Sequence, residues 1–280
     1  MIQGISAWSD VENGTVPIDD GELFYEAAGT GPAVVLLHGA LLDQRMWDEQ
    51  FIWLVNSGHR VIRYDLRGHG LSSTATGDFA HHDDLRALLD ALAVERAVLV
   101  GLSHGSRVAL DAALVHPERV AALVLASPGV SGRPFTDPFL LGHLREQAAA
   151  SGEEDGVERY VEHFLRAWVD GPHRAPEAVH PGLRERLRAA AEANVEVHAE
   201  GTGMPLEAGA AERLGELRVP TLVLDGDLDS RDISANAHAV TLAVPGAQRV
   251  RIPGAGHMVN LENVAHFDHA LHSFLLSLHR

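Results

Sequence analysis

Gly101-Leu102-Ser103-His104-Gly105 sets a serine between two glycines in the pattern G-x-S-x-G. The chemistry that such a spacing serves is nucleophilic. A hydroxyl is a weak nucleophile on its own and needs a base, and the base needs an acid to orient it. Two downstream stretches supply those residue types: the acidic turn Asp225-Gly226-Asp227-Leu228-Asp229, and Ile252-Pro253-Gly254-Ala255-Gly256-His257, which puts a histidine on a glycine-rich loop. Serine, then acid, then histidine is one of the chain orders in which these groups carry acyl transfer. Randomly placed glycines and serines in this composition would match the string about 0.13 times per chain, so the pattern alone is weak and its setting has to carry the argument.

That setting is a strand before the serine and a helix after it. Ala97–Leu102 is a continuous apolar run suited to a strand buried on both faces, and His104–Val115 is a small-residue helix ended by His116-Pro117. A sharp strand-to-helix turn holds a serine in a strained conformation, projecting from the sheet at a helix N-terminus whose N–H groups favour an oxyanion. The rest of the chain repeats the rhythm. Thr15–Ile18 and Glu22–Ala27 flank the turn signal Asp19-Asp20-Gly21 and read as a hairpin. Strands are expected at Ala33–His38, Arg60–Tyr64, Val120–Ala126, Thr221–Asp225 and Gln248–Ile252. Helices are expected at Met46–Val55, His82–Ala93, Ser234–Ala243 and Val264–Leu278. The acid turn and the histidine loop each follow a strand, so both belong to the sheet edge that presents Ser103.

These alternations predict an α/β fold with a mostly parallel eight-stranded sheet, helices on both faces and an all-helical insertion. Residues 128–211 hold no convincing strand, and helices are expected at Pro138–Ala150, Gly156–Val169 and Leu183–Ala199. The division is a core of residues 1–127 and 212–280 with a helical cap, 128–211, over the strand C-termini.

Composition narrows the chemistry. The net charge of −17 disfavours nucleic acid and anionic membrane surfaces as partners. There is no cysteine, and all 22 Lys+Arg positions are arginine. Thiol nucleophiles, disulfides and cysteine-ligated metals are thereby excluded, as are Schiff-base chemistry and a Walker A lysine. No G-x-G-x-x-G follows a strand, so no dinucleotide is expected. His266, His269 and His272 recur every three residues and drift around a helix, and no carboxylate–histidine cluster supports them, so no metal is expected either. Met1–Asp10 has no basic and apolar leader pattern and no run approaches a membrane span, which points to a cytoplasmic protein acting on a small molecule without a cofactor. A homodimer stays open.

In these motifs the chain resembles the α/β-hydrolase family, over roughly residues 15–130 and 211–280. Leu36-Leu37-His38-Gly39-Ala40 is similar to that family's oxyanion loop, and Tyr64-Asp65-Leu66-Arg67-Gly68-His69-Gly70 to its D-x-R-G-x-G turn. The resemblance implies Ser103 as nucleophile, His257 as base and Asp229 as acid, at the end of G-x-x-D. It also implies oxyanion donors at the backbone N–H groups of Ala40 and His104. Asp227 and Asp225 share the acid's turn, Leu41 is the alternative donor, and Asp65, Arg67 and His69 are read as shaping a loop. The side chain of His104 either turns into the pocket or is merely tolerated there. Leu41, Phe135, Phe139, Phe164 and Trp168 are expected to line an apolar substrate pocket, with cap-to-core packing the competing reading.

The resemblance leads to an ester or lactone hydrolase of the esterase and enol-lactonase kind, working through an acyl-enzyme. A serine in this place argues against the dehalogenase and epoxide hydrolase relatives, which use a carboxylate, and the oxyanion loop lacks the Gly-Gly-Pro-rich form of proline iminopeptidases. C–C bond hydrolysis, perhydrolysis and thioesterase or cyclase action on a carrier-bound chain use the same triad and stay as alternatives, as does a small-molecule signalling protein that retains it.

Overall fold

The computed structural model describes residues 11–153 and 156–278, so the reading of Met1–Asp10 lies outside the described residues. Eight strands form one sheet: β1 (Glu12–Ile18), β2 (Gly21–Ala28), β3 (Ala33–Leu37), β4 (Arg60–Tyr64), β5 (Ala97–Leu102), β6 (Val120–Ala126), β7 (Thr221–Gly226) and β8 (Gln248–Ile252). Their order is β1-β2-β4-β3-β5-β6-β7-β8. The β1–β2 hairpin is antiparallel and β2 joins β4 antiparallel, while β3 to β8 pair in parallel.

The apolar runs explain the layers. Successive side chains of a strand face opposite ways, so Val35 and Leu37 of β3 enter one core while Val34 and Leu36 enter the other. The first core is closed by α2 (His81–Ala91), α3 (His104–Val115) and α8 (Arg231–Ala243), through residues such as Leu88, Val108 and Val240. The second is closed by α1 (Asp48–Asn56) and α10 (Val264–Ser277), through Phe51, Leu54, Phe267 and Phe274.

Between β6 and β7 come α4 (Pro138–Ala150), α5 (Gly156–Leu165), α6 (Pro181–His198) and the short α7 (Ala210–Arg213); α9 (Val259–Glu262) follows the last strand. Asp137 caps α4 by accepting from Phe139 N–H at 3.0 Å, and Pro138 takes the first helical position. The helix expected over Gly156–Val169 ends instead at Leu165 and continues as a π-helical turn, Arg166–Asp170. Among the described residues the helical segment has no separate core. Val161, Leu165, Val169 and Leu187 bury in the same cluster as Trp47 and Leu102, so the segment is seated directly on the sheet layer. Arg174 fixes one side of it, donating to the Asp170 and Val169 carbonyls at 2.9 and 2.8 Å and pairing with Glu262 of α9. Its guanidinium lies over Gly256, where any Cβ would collide with it. Among the described residues no helix is long and apolar enough to cross a membrane.

Candidate active site

The chain runs from β3 to β4 on one side and returns to β5 on the other, so the crevice beyond the carboxyl ends of β3 and β5 is a topological switch point. Ser103 lies there. It joins β5 to α3 at φ 54°, ψ −107°, outside the usual regions for an L-residue. The flanking glycines make this possible. A Cβ on Gly101 would run into the backbone of Gly105, and one on Gly105 into the carbonyl of Leu37. Ser106, the next small residue, is fully buried and donates to the Gly101 and Ala126 carbonyls at 2.7 and 3.1 Å, so its hydroxyl costs the packing nothing.

The loop after β8 carries His257, 3% exposed, with Nδ1 2.8 Å from Asp229 Oδ2. Asp229 is itself buried, and its Oδ1 accepts from Ser230 N–H at 2.7 Å. A carboxylate on Nδ1 fixes the proton there and leaves Nε2 with its lone pair free. The Ser127 hydroxyl donates to the His257 carbonyl at 2.8 Å, and the Trp168 ring packs 4.7 Å from the imidazole between centroids. The three aspartates of the turn separate by partner. Asp225 is buried against Arg249 at 2.8 and 2.6 Å, the exposed Asp227 accepts from Gly254 N–H at 2.8 Å, and Asp229 alone of the three meets His257.

Ser103 and His257 line one cavity of about 240 Å³, together with Ala40 and His104. His38 sets the orientation of the loop that contributes Ala40. Leu66 N–H donates to His38 Nε2 at 2.9 Å, so Nδ1 carries the proton and donates to the Gly39 carbonyl at 2.8 Å. In a planar trans peptide the N–H of Ala40 then points opposite to that carbonyl. Leu41 follows at φ 56°. On the far wall, α3 opens at His104, whose N–H belongs to the first helical turn and has no intrahelical acceptor.

Leu41, Phe135, Phe164 and Trp168 line the cavity. Phe139 does not: it packs edge-on to His143 at 4.6 Å, with Arg166 over its ring at 6.0 Å, because the start of α4 turns it away from the cavity. Tyr160 and Leu144 lie on the wall instead, and Tyr160, Phe164 and Trp168 form an i, i+4, i+8 stripe that a closer reading of the helical pattern would have found. Asp65, Arg67 and His69 hold a loop: Asp65 accepts from Gln44 and Leu71 N–H at 2.8 and 2.9 Å, and Arg67 forks onto Asp84 at 3.0 and 2.6 Å.

Behind the serine lies a row of imidazoles that no local pattern announces. His38 and His69 rings lie 5.0 Å apart, His69 stacks on His104 at 6.0 Å, and His104 Nε2 is 3.2 Å from His81 Nε2. Burial, then the neighbouring imidazoles, pushes His69 and His104 well below the ordinary histidine value, and His81 falls to about 3 through burial and the nearby His38 and Arg67. His69, His81 and His104 are therefore uncharged at neutral pH. The unfolded chain protonates His81 below about 6.5 whereas the fold refuses the proton down to about 3, so stability drops as pH falls through that window. At pH 5 His81 alone accounts for about 2 kcal/mol. Urea unfolding at pH 7.5 and 5.0 checks this: His81→Asn should remove that part of the difference, and an unchanged pH dependence in the variant would show His81 to be protonated in the fold.

The family described as the alpha/beta hydrolase fold matches residues 32–264. A pimeloyl-(acyl-carrier protein) methyl ester esterase of Xanthomonas campestris is 29% identical over 90% of this chain and 98% of its own. A non-heme chloroperoxidase of Burkholderia pyrrocinia is 31% identical over 75% of this chain and 80% of its own. Among solved structures, a thermophilic esterase from Thermogutta terrifontis superposes with a TM-score of 0.78 at 28% identity, covering 96% of this chain and 100% of that one. Likenesses of this kind support a hydrolase activity.

Proposed function

Because the chain belongs to the α/β-hydrolase fold family, we propose that it is a cofactor-independent serine hydrolase that cleaves an ester or lactone of a small, largely apolar substrate. One observation carries this reading: Ser103, on its strained turn, and His257, paired through Nδ1 with the buried Asp229, open onto the same cavity. His257 Nε2 takes the proton as Ser103 Oγ attacks the carbonyl carbon, and the N–H groups of Ala40 and His104 hold the oxyanion. The protonated imidazole then gives its proton to the leaving oxygen, and water, activated by the same nitrogen, releases the acid from the acyl-enzyme. Asp229 holds Nδ1 and stabilises the imidazolium.

The cavity is below the roughly 300–1,000 Å³ of pockets for drug-sized ligands, which favours a modest acyl or alcohol group. Phe135, Phe164 and Trp168 favour an apolar one. On this reading the helical segment acts as the cap that excludes water from the acyl-enzyme. Likeness to a methyl ester esterase supports the ester reading, and likeness to a chloroperoxidase is a reason to try hydrogen peroxide as a second acceptor for the acyl group.

Intact-mass analysis after treatment with a fluorophosphonate tests the proposal without the natural substrate. The expected result is one adduct per chain, mapped to Ser103. Folded protein that takes up no label at Ser103 would overturn the serine mechanism.

A further inference from the structure

A second cluster lies away from the cavity, where the start of α2 meets the end of α3. His116 follows the last residue of α3, and its Nε2 is 2.9 Å from Asp83 Oδ1. His82 Nδ1 is 3.5 Å from the same oxygen, and the rings of His82 and His116 are 5.6 Å apart. The three ligand atoms all lie within 4.8 Å of one another. His82 Nδ1 is shut off from solvent and has no hydrogen-bond partner. Buried imidazole nitrogens normally find one.

From this geometry we propose that His82, Asp83 and His116 bind a divalent transition ion of the zinc type. Two imidazole nitrogens and one carboxylate oxygen are donors that such ions favour, at bonds of about 2.0–2.2 Å. Ligands at that radius stand roughly 3–3.5 Å apart around a tetrahedron, close to the separations between Asp83 and each histidine. The carboxylate is half-exposed and free to turn inward, while the histidines, 12% and 17% exposed, are held by their helices. The carbonyl end of α3 adds favourable negative potential. One cation competes: Arg86 Nε is 3.8 Å from Asp83 Oδ1, but it is also paired with Asp90 at 3.2 Å and is well exposed, so it can yield. Asp111, the other carboxylate nearby, is committed to Ser131 and to Ala208 N–H.

Bound there, the ion would clamp α2 to the far end of the helix that begins beside Ser103. The twelve residues of α3 place His116 about 18 Å along the helix from His104, so the expected effect is on stability, with His81, next to His82, linking back to His104. The expectation of no metal rested on local spacing, whereas these ligands come from positions 33 residues apart.

Zinc chloride titrated calorimetrically into the intact protein at pH 7.5, in a buffer that does not chelate, tests the assignment. One ion per chain is expected, with a higher melting temperature. His116→Ala and, as a milder change, Asp83→Asn should each weaken binding by at least about tenfold, the cost of losing even an outer partner of a metal ligand. Removing the exposed His266, His269 and His272 together should leave that binding in place. The proposal falls if zinc does not bind, or if binding survives both ligand changes and disappears with the α10 histidines.

Discussion

Replacing Ser103 by alanine should lower acyl turnover by about 10⁴-fold or more while leaving the fold intact. On the proposed mechanism the variant loses the oxygen that forms the acyl-enzyme, and no neighbouring group can replace it: the chain has no cysteine, and Ser106 is buried with its hydroxyl given to two carbonyls. What remains is attack by water at a carbonyl still polarised by the Ala40 and His104 N–H groups. A loss of 10⁴ corresponds to about 5.5 kcal/mol of transition-state stabilisation. Stability should change by less than about 1 kcal/mol, because alanine keeps the Cβ that the strained turn already accommodates. Initial rates on short p-nitrophenyl esters, with urea unfolding of both proteins, check the two halves together. A variant that keeps a tenth of the activity would place the nucleophile elsewhere.

Asp229→Asn should be nearly as damaging, about 10⁴-fold in kcat, the cost of holding the imidazole in the wrong tautomer. The reason lies in the two oxygens of Asp229. Oδ1 accepts from Ser230 N–H and Oδ2 faces His257 Nδ1. An asparagine must keep its oxygen on the Ser230 donor, which turns its NH₂ toward the histidine. Nδ1 then becomes an acceptor and the proton moves to Nε2, where it blocks the base. Asp227→Asn has no such effect, because an amide oxygen accepts from Gly254 N–H as well as a carboxylate does, and activity should stay within a few-fold of the parent. The same ester assay on both variants compares them directly. If Asp227→Asn proves the more damaging change, the acid has been misassigned.

Most of the architecture was legible because the central strands β3, β5, β6 and β7 are buried and read as apolar runs, while the exposed edge strand β8 still shows Val250 and Ile252 alternating with arginines. Arg60–Tyr64, Ala97–Leu102, Val120–Ala126 and Gln248–Ile252 have the expected bounds, and α3 and α4 begin and end where proline and capping residues place them. The nucleophile turn, the acid turn and the histidine loop could be found because glycines mark all three. Features that depend on tertiary contact were not legible. The four-residue α9 is too short for a periodic signal, and the π-helical turn at Arg166–Asp170 depends on how the segment seats on the sheet. Phe139 has the residue type of a pocket wall but stands on the wrong side of α4. The row His38–His69–His104–His81 draws on four separate elements, and only a fold brings them together.

Arg174 couples two parts of the molecule that have different tasks. It sits over Gly256, next to the histidine, and grips Glu262 just beyond, while its other bonds hold the end of the helical segment. Through this one side chain the helical segment and the histidine loop are tied together, and a change at either end is felt at the other. A side chain at 256 would have to displace the tip of Arg174, so the bare glycine is what lets this tie close over the histidine loop.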